Sequence, residues 1–381
     1  GGGIANDGTL ILNNSSVNDN TSITEGGGGI FNGWGDSAVI SMTNSVVSDN
    51  TTTSRGGGIA NANGTLMVDN SVISHNMAEY IGGGIWSYRI TTINASEVIS
   101  NTADEGGGGI YGSGNLAITN SAISNNSTGD LGGGGILSDG ILTLTNSTLD
   151  NNSTAEHGRG GGISQHAGTL TLNNSTVSNN SSWYGGGIYT SSGIGYLNNS
   201  TISNNTATAD SNDPYGGGGI FNKNYYSSNL TAQNSIIAGN FNSKSPDCSG
   251  TITSGGYNVI GNSLDCTFTP DSGDWINVNA QLLPLTGSPG YHPLKFGSPA
   301  INGGNPSGCT DHEGNPLDMD QRGVARIGRC DIGAYEYEGP VNYIFMPLVA
   351  KPRPPRGLYG IIKENGTPAA SIPLSLRFYN G

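Results

Sequence analysis

Hydrophobic positions recur along this chain at a nearly fixed spacing, each time directly behind a run of glycines. The isoleucines that close these runs lie 25 to 32 residues apart. They are Ile4, Ile30, Ile59, Ile85, Ile110, Ile136, Ile163, Ile188 and Ile220. Nine copies of one unit at this period indicate stacked repeats, in which each unit packs mainly against its neighbours.

Within one unit, the pattern predicts three short strands separated by turns. In the unit that opens at Ile59, Leu66 and Val68 alternate with polar residues up to Asn70, and Ile73 continues the inward side. Alternation with period two is typical of a strand that has one buried face. Three strands and three turns in each coil of about 26 residues predict an all-β fold, a right-handed parallel β-helix.

Stacking in register places equivalent side chains in columns, three of which are aliphatic. The first column is Leu10, Ile40, Leu66, Leu116, Leu142, Leu170 and Leu230. The second is Leu12, Met42, Val68, Ile118, Leu144, Leu172 and Leu197. The third is Val17, Val47, Ile73, Ile123, Leu149, Val177, Ile202 and Ile237. At a strand spacing of about 4.8 Å, nine coils predict a rod about 43 Å long.

Asparagines form two further columns at the predicted corners. The first ladder is Asn14, Asn44, Asn70, Asn120, Asn146, Asn174, Asn199 and Asn234. The second is Asn20, Asn50, Asn76, Asn126, Asn152, Asn180, Asn205 and Asn240. An amide can donate to one neighbouring coil and accept from the other, and Asn tolerates the left-handed backbone of a tight corner. Ser96 stands where the first ladder expects asparagine, and we predict a local bulge there.

Composition agrees with a narrow core. Hydrophobic residues make up 34% of the 381 residues, and 64 positions are glycine. The glycine runs favour close approach of neighbouring coils, because a phosphate-binding loop would require a helix N-terminus and would not recur in every repeat. The formal net charge of −14 disfavours nucleic acids and anionic membranes as partners.

The residue after each closing isoleucine is expected to face outward, and several of these residues are large. Phe31, Trp86, Tyr111, Tyr189 and Phe221 form a possible interaction surface for glycans or another protein. The alternative is that the variable loops fold over this aromatic row. We therefore keep both an exposed and a covered row as hypotheses.

The sequence offers little support for catalysis. The best alignment of polar groups is Asp19, Asp49 and His75, which precede ladder asparagines on successive coils. A polysaccharide-cleaving cleft needs two or three carboxylates or a basic residue beside a calcium ion, but these side chains face away from the core and no Arg or Lys joins them in register. A solvated face is therefore the favoured interpretation. No metal-binding histidine spacing or nucleophile elbow is present. We predict no enzymatic activity and no cofactor.

Two kinds of surface chemistry are left open. The first is a calcium site in the later part of the chain, at Asp311, Glu313, Asp318 and Asp320, although these residues lack the spacing of a known calcium loop. The second is glycosylation. Many Asn-x-Ser/Thr sequences follow from the repeat itself, but Asn63, Asn94 and Asn229 lie in predicted turns or strand ends where a glycan fits.

All four cysteines follow the repeats, in two local couples, Cys248 with Cys266 and Cys309 with Cys330. Neither couple has the spacing of a zinc or redox motif, so the sequence favours two disulfides in an oxidising compartment over reduced buried thiols. The longest apolar run, residues 343–350, is too short to cross a membrane. The chain opens within a repeat and without methionine, which predicts a processed or partial chain.

Sequence motifs after residue 234 carry a family resemblance. They are Asn234-Ser-Ile-Ile-Ala-Gly-Asn240, Gly256-Tyr-Asn-Val-Ile-Gly-Asn262, Gly297-Ser-Pro-Ala-Ile-Asn302, Asp320-Gln-Arg-Gly323 and Cys330-Asp-Ile-Gly-Ala-Tyr-Glu336. The series resembles the C-terminal region of secreted bacterial β-helix proteins of the choice-of-anchor Q family. The glycine-isoleucine repeats are similar to those of that family and of polymorphic outer-membrane proteins. The resemblance implies a secreted or cell-surface protein and brings no catalytic residues.

These patterns divide the chain into four parts. We predict β-helix repeats over residues 1–240, a cap over 241–338 that Arg322 and Asp320 anchor by polar contacts, a proline-rich linker over 339–356, and a β-hairpin tail over 357–381. The tail resembles the opening of an immunoglobulin-like domain, with Asn365-Gly366 as its turn. The predicted function is an extracellular structural protein that assembles into a filament or sheath by strand donation. A glycan-binding adhesin and a polysaccharide-degrading enzyme are the alternatives.

Overall fold

The structure is a computed structural model that describes residues 1–339, apart from residues 25, 34, 36 and 211–215, together with residues 363–364 and 367–368. For residues 224–227 it describes the backbone alone. Residues 1–338 form one compact unit. The predicted linker and hairpin tail lie outside the described residues, except for Gly339 and the short strands Lys363–Glu364 and Thr367–Pro368, which pair antiparallel.

The compact unit is an all-β parallel β-helix with about 26 residues per turn, as predicted. Its strands form three parallel sheets, called here sheets A, B and C, and each strand pairs with its equivalent in the next coil. We number the coils 1 to 9 by the isoleucine that opens each one. The described residues contain no helix, and therefore none that is long and apolar enough to span a membrane.

Each coil contributes to sheets A and B, with two strands in sheet A for coils 1 to 7, and coils 1 to 8 contribute one strand each to sheet C. The first strands of sheet A are Ile4–Asn6, Ile30–Asn32, Ile59–Asn61, Ile85–Ser87, Ile110–Gly112, Ile136–Ser138 and Ile163–Gln165. The second are Thr9–Asn13, Val39–Thr43, Thr65–Asp69, Ile90–Asn94, Asn115–Thr119, Ile141–Thr145 and Thr169–Asn173. In coils 8 and 9 the two strands merge into Ile188–Asn198 and Ile220–Gln233, whose pairing contains register shifts.

Sheets B and C complete the coil. Sheet B contains Ser16–Asn18, Val46–Ser48, Val72–Ser74, Glu97–Ile99, Ala122–Ser124, Thr148–Asp150, Thr176–Ser178, Thr201–Ser203 and Ile236–Ile237. Sheet C contains Thr21–Ser22, Thr51–Thr52, Met77–Ala78, Thr102–Ala103, Ser127–Thr128, Ser153–Thr154, Ser181–Ser182 and Thr206–Ala207. Sheet C thus adds a two-residue strand to each of coils 1 to 8, which the sequence pattern did not predict.

Parallel pairing continues beyond the nine glycine-run coils. Cys248–Ser254 and Cys266–Thr269 extend sheet A, and Val259–Ile260 and Trp275–Ile276 extend sheet B. The predicted domain boundary at residue 240 therefore falls inside the pairing. The disulfide Cys248–Cys266 joins two adjacent strands of this extension, with 5.2 Å between their Cα atoms.

The three aliphatic columns form one continuous core. Members such as Leu66, Val68 and Ile73 are fully buried, and the closing isoleucines pack with them. In the glycine runs, neighbouring coils approach each other closely, because the chain turns there against the backbone of the adjacent coil. Gly160 has a φ of +62°, and a Cβ on Gly161 would lie 2.5 Å from the carbonyl oxygens of Ser181 and Gly186. Larger residues are thus excluded by backbone on both sides.

The second asparagine ladder is buried and continuous. Each side-chain amide donates to the carbonyl oxygen of the asparagine in the next coil, at N···O distances between 2.8 and 3.0 Å. Asn101, which the sequence pattern did not assign, fills the position in coil 4. The last acceptor is the carboxylate of Asp247, which also accepts from the backbone N–H of Asn262. The ladder therefore ends on a group that needs no further acceptor.

The first asparagine ladder marks a corner with a left-handed backbone, since all eight of its members have φ between +45° and +51°. Its side-chain bonds are discontinuous and mostly exposed, as at Asn120 and Asn146. The prediction at Ser96 was wrong by one position. Ala95 occupies the left-handed corner, Ser96 joins a buried serine column, and the strands on both sides keep their register without a bulge.

The strap, residues 277–338, docks on the side of the rod. The prediction was a cap on the last coil, but this segment runs back along sheet B as far as Thr148 in coil 6, whose hydroxyl donates to the carbonyl oxygen of Gly290. In coil 7, Thr176 donates to the side chain of Gln321. In coil 8, the hydroxyl of Thr201 accepts from the backbone N–H of Ala334. Strap residues also form a small apolar cluster with Ile236 and Val259.

Candidate functional site

The aromatic row is covered for most of its length. Phe31, Trp86, Tyr189 and Phe221 are between 1% and 7% exposed, so the expectation that they form an open surface was wrong. The alternative hypothesis, loops folding over the row, describes the structure. The guanidinium group of Arg55 lies 5.4 Å from the ring centroid of Trp86, and Ile81 packs in the same apolar cluster. Further along the rod, the guanidinium group of Arg159 lies 5.5 Å from the ring of Tyr189.

Tyr111 is the member of the row that stays partly exposed, and it belongs to a polar cluster that spans three coils. Its hydroxyl donates to Oδ2 of Asp139 in coil 6 at 2.7 Å. Oδ1 of Asp139 lies 3.4 Å from Nδ1 of His166 in coil 7. Nε2 of His166 lies 3.1 Å from the hydroxyl of Ser164, one residue beyond the closing isoleucine. We call Tyr111, Asp139 and His166 the Tyr–Asp–His cluster.

The surroundings of Asp139 and Tyr111 in this cluster shift the pKa values of both side chains. Contact with His166, followed by that with Tyr111, lowers the pKa of Asp139, although burial acts in the opposite direction. Burial and the adjacent Asp139 carboxylate raise the pKa of Tyr111 above its ordinary value. At neutral pH the cluster therefore presents a carboxylate next to a protonated phenol. The side chains of Asp139 and His166 are 38% and 30% exposed, so this charge borders solvent.

Serine, histidine and aspartate follow one another here in the order of a nucleophilic relay. Access argues against that chemistry, because Ser164 is 0% exposed and an acyl carbon cannot reach its hydroxyl. Ser164 instead holds the imidazole in place from below. The sequence carried one signal that could have found the cluster: Asp139 and His166 each stand three residues after a closing isoleucine, so that neighbouring coils bring them together.

The three residues considered for polysaccharide cleavage have a conformational role. Asp19, Asp49 and His75 occupy exposed corners with φ between +55° and +58°, the same corner that asparagine fills in coils 5 to 8. They lie in a column on coils 1 to 3, and the structure brings them together with no basic partner among the described residues. A left-handed corner explains the preference for Asp, Asn and His at these positions.

The acidic residues of the strap do not converge. Asp311 accepts from the backbone N–H groups of Glu313 and Asn315 in its own loop. Asp320 is fully buried and binds Arg322 at 2.7 Å. Within the ranges that the structure describes, no three or more acidic, histidine or cysteine residues are grouped to hold a metal ion.

A buried ionic network stabilises the strap internally. Arg326 lies 3.4 Å from the carboxylate of Glu336 and also donates to Asn174 of coil 7. Burial raises the pKa of Asp331, a neighbour in this network, to about 6. The disulfide Cys309–Cys330 joins two segments of the strap, as predicted. The bond from Arg326 to Asn174 ties this network to the rod. Two disulfides indicate an oxidising, extracellular environment.

The predicted glycosylation positions differ in accessibility. Asn94 and Asn229 are exposed on the outer face of sheet A, although the amide of Asn94 donates to Asp69. Asn63 is half-buried and accepts from Arg89. Whether any of them carries a glycan stays a prediction.

Comparison with known proteins adds no identification: no family model, no curated protein and no solved structure matches this chain.

Proposed function

We propose that this protein is a non-enzymatic, extracellular structural rod that assembles into a filament or sheath at the cell surface. The continuous buried asparagine ladder is the observation that carries the proposal. It links the nine coils by one repeated amide hydrogen bond and ends on Asp247, and we expect this column to stiffen the rod over those coils. A fully bonded polar column of this kind supports a mechanical role.

Three further features support the proposal. The two disulfides suit a secreted protein, and the C-terminal motifs resemble choice-of-anchor Q proteins of the cell surface. The pairing of Lys363–Glu364 with Thr367–Pro368 is a two-stranded element, and such elements are marginally stable alone in water. Strand donation from this region to another copy is the assembly mode that we propose.

Assembly is tested on the full chain by sedimentation and electron microscopy. We expect species that elongate with protein concentration. A variant in which residues 357–381 are replaced by a Gly/Ser segment of equal length should stay monomeric while retaining its β-type circular dichroism.

Monodisperse short rods at every concentration would argue against assembly. Equal assembly by the replaced variant would rule out strand donation but leave the rod itself standing. In that case the structural role of the rod is tested by its resistance to unfolding. A variant that lacks the buried asparagine ladder should lose cooperative melting.

A further inference from the structure

The position that His166 occupies, three residues after the closing isoleucine, differs chemically from coil to coil, and it is also polar in coils 1, 8 and 9, where it holds Asp7, Ser191 and Lys223. The third residue after the closing isoleucine is Gly33 in coil 2 and Ala62 in coil 3. In coils 4 to 7 the same position holds tyrosine, serine, aspartate and histidine, namely Tyr88, Ser113, Asp139 and His166. The coils stack equally well with glycine or alanine there, so the fold does not require the polar residues.

The Tyr–Asp–His cluster is held rigidly where it meets solvent. Ser164 fixes one imidazole nitrogen of His166 from the buried side, and Asp139 lies beside the other. The backbone oxygen of His166 accepts from the hydroxyl of Ser191 in coil 8. Pre-organised polar groups at a surface reduce the entropy cost of binding, which is a property of binding sites.

The available chemistry suits hydroxyl groups. Each oxygen of Asp139 has one neighbour in the cluster, which leaves acceptor capacity toward solvent. Tyr111 presents part of a ring, and Tyr88, one coil before it, is 55% exposed. Aromatic faces pack on the C–H faces of sugars, and carboxylates accept from sugar hydroxyls. Tyr88, Tyr111, Asp139 and His166 come from four successive coils along the rod axis, which favours an extended ligand.

We propose that the Tyr–Asp–His cluster, flanked by Tyr88, binds a neutral oligosaccharide that lies along the rod across coils 4 to 7. The carboxylate of Asp139 and the net charge of −14 disfavour acidic sugars. This inference goes beyond the structural role, because it gives the rod a specific carbohydrate contact. It also differs from the aromatic-row hypothesis, since four of those five rings are buried.

Calorimetric titration of the full chain tests the proposal. The probes are hexasaccharides of glucose, mannose, galactose and xylose, with a hexasaccharide of galacturonic acid as the acidic comparison. We expect saturable binding of at least one neutral probe and weaker binding of the acidic one. Asp139→Asn, which keeps the shape, should weaken binding about tenfold, because a hydrogen bond to a charged group is stronger than one to a neutral amide.

Two further variants make the test specific. Tyr111→Phe keeps the ring and removes one donor to Asp139, and we expect a smaller loss than for Asp139→Asn. Asp49→Asn changes an exposed carboxylate on coil 2 and should bind like the parent chain. Absence of binding to all four neutral probes at millimolar concentration would overturn the proposal. So would Asp139→Asn binding within twofold of the parent while melting at the same temperature.

Discussion

The outer face of sheet B differs between the two halves of the rod. In coils 1 to 5 its first strand residues are exposed or half-buried, and in coils 6 to 9 the equivalent residues are buried. The exposed set is Ser16, Val46, Val72, Glu97 and Ala122, and the buried set is Thr148, Thr176, Thr201 and Ile236. The strands of sheet B pair in the same register in both halves, and the strap packs against the second half only.

The difference shows that a repeating scaffold does not by itself define a surface. Three successive coils place threonine at the equivalent outward position, and each hydroxyl forms a hydrogen bond with the strap. The uncovered coils carry a mixed set with no shared hydrogen-bonding group. Interior contacts are equivalent along the rod, whereas exterior contacts are specific to one half. The predictions below test this division.

The largest effect is expected where the strap holds a buried charge. Arg326 is 3% exposed at its side chain and contacts Glu336, the backbone oxygen of Gly333 and the amide of Asn174. Arg326→Met leaves the Glu336 carboxylate without this partner, which costs about 3–5 kcal/mol. We expect faster hydrogen exchange in the strap and on sheet B of coils 6 to 9, and unchanged exchange in coils 1 to 5.

The control for that experiment is Arg89→Met, which removes an exposed arginine from the uncovered half. It should leave exchange in the strap unchanged. If Arg326→Met instead loosened all coils to the same degree, the two halves would form one cooperative unit and the proposed division would be wrong.

An intermediate effect is expected in the buried ladder, and it should be the same in both halves. Asn76 and Asn180 each accept from the backbone and side-chain N–H groups of the preceding ladder residue and donate to the next one. Replacement of either by alanine leaves several buried polar groups unpaired, at a cost of about 3 kcal/mol. Thermal melting of Asn76→Ala and Asn180→Ala should show similar losses.

Asn120→Ala is the comparison for the ladder variants. Ala95 already occupies the same left-handed corner in coil 4, and the side chain of Asn120 is exposed. We expect a cost of about 1 kcal/mol, which is the penalty of a left-handed backbone for alanine. A loss as large as that of Asn76→Ala would mean that the exposed ladder stabilises the rod as much as the buried one.

Local patterns predicted the interior correctly for physical reasons. Alternation identified Leu66 and Val68 because a strand has two faces, and pairing within each cysteine couple followed from short separations. The error at Ser96 arose because asparagine was expected at the corner. The corner requires a left-handed backbone rather than a particular residue type, so Ala95 was overlooked. The sheet C strands were missed because an alternation of apolar and polar residues cannot be recognised in a strand of only two residues.

Contacts between distant segments could not be predicted in the same way. Thr148 and Gln321 lie 173 residues apart, and nothing in either segment indicates the other. The Tyr–Asp–His cluster is similar, since its three residues come from three coils and come into contact only when the coils are stacked in register. The covering of Trp86 by Arg55 depends on a variable loop whose path has no repeat to define it.

The docking of the strap should weaken in mild acid. His292 is buried, with its ring nitrogens 2.8 Å from the hydroxyl of Ser178 and from the backbone oxygen of Leu283, and Asp150 is the charged group that faces it. Burial lowers the pKa of His292 below its ordinary value of about 6.5. The native state therefore binds fewer protons than the unfolded state below that pH. Stability from this group is complete above pH 6.5 and declines as the pH falls.

Asp331 acts with the opposite sign. Burial raises its pKa to about 6, so its contribution increases as the pH falls from about 6 toward its ordinary pKa. The melting temperature measured from pH 8 to pH 4 should lose its decline below pH 6.5 in His292→Gln and decline more steeply in Asp331→Asn. Identical profiles for all three proteins would show that neither group reports on docking.

The smallest effect is expected from a single hydroxyl between the rod and the strap. Thr148 donates to the backbone oxygen of Gly290 and accepts from the side-chain amide of Gln321. Thr148→Val keeps the shape and removes both bonds, but Gln321 still donates to Gly290 at 2.8 Å, so we expect a loss of only about 1 kcal/mol in urea unfolding. The reciprocal change, Val72→Thr in the uncovered half, adds a hydroxyl that faces solvent and should alter stability by less than about 0.5 kcal/mol. Equal losses for both variants would contradict the assignment of distinct roles to the two halves, because a covered and an uncovered threonine would then be energetically equivalent.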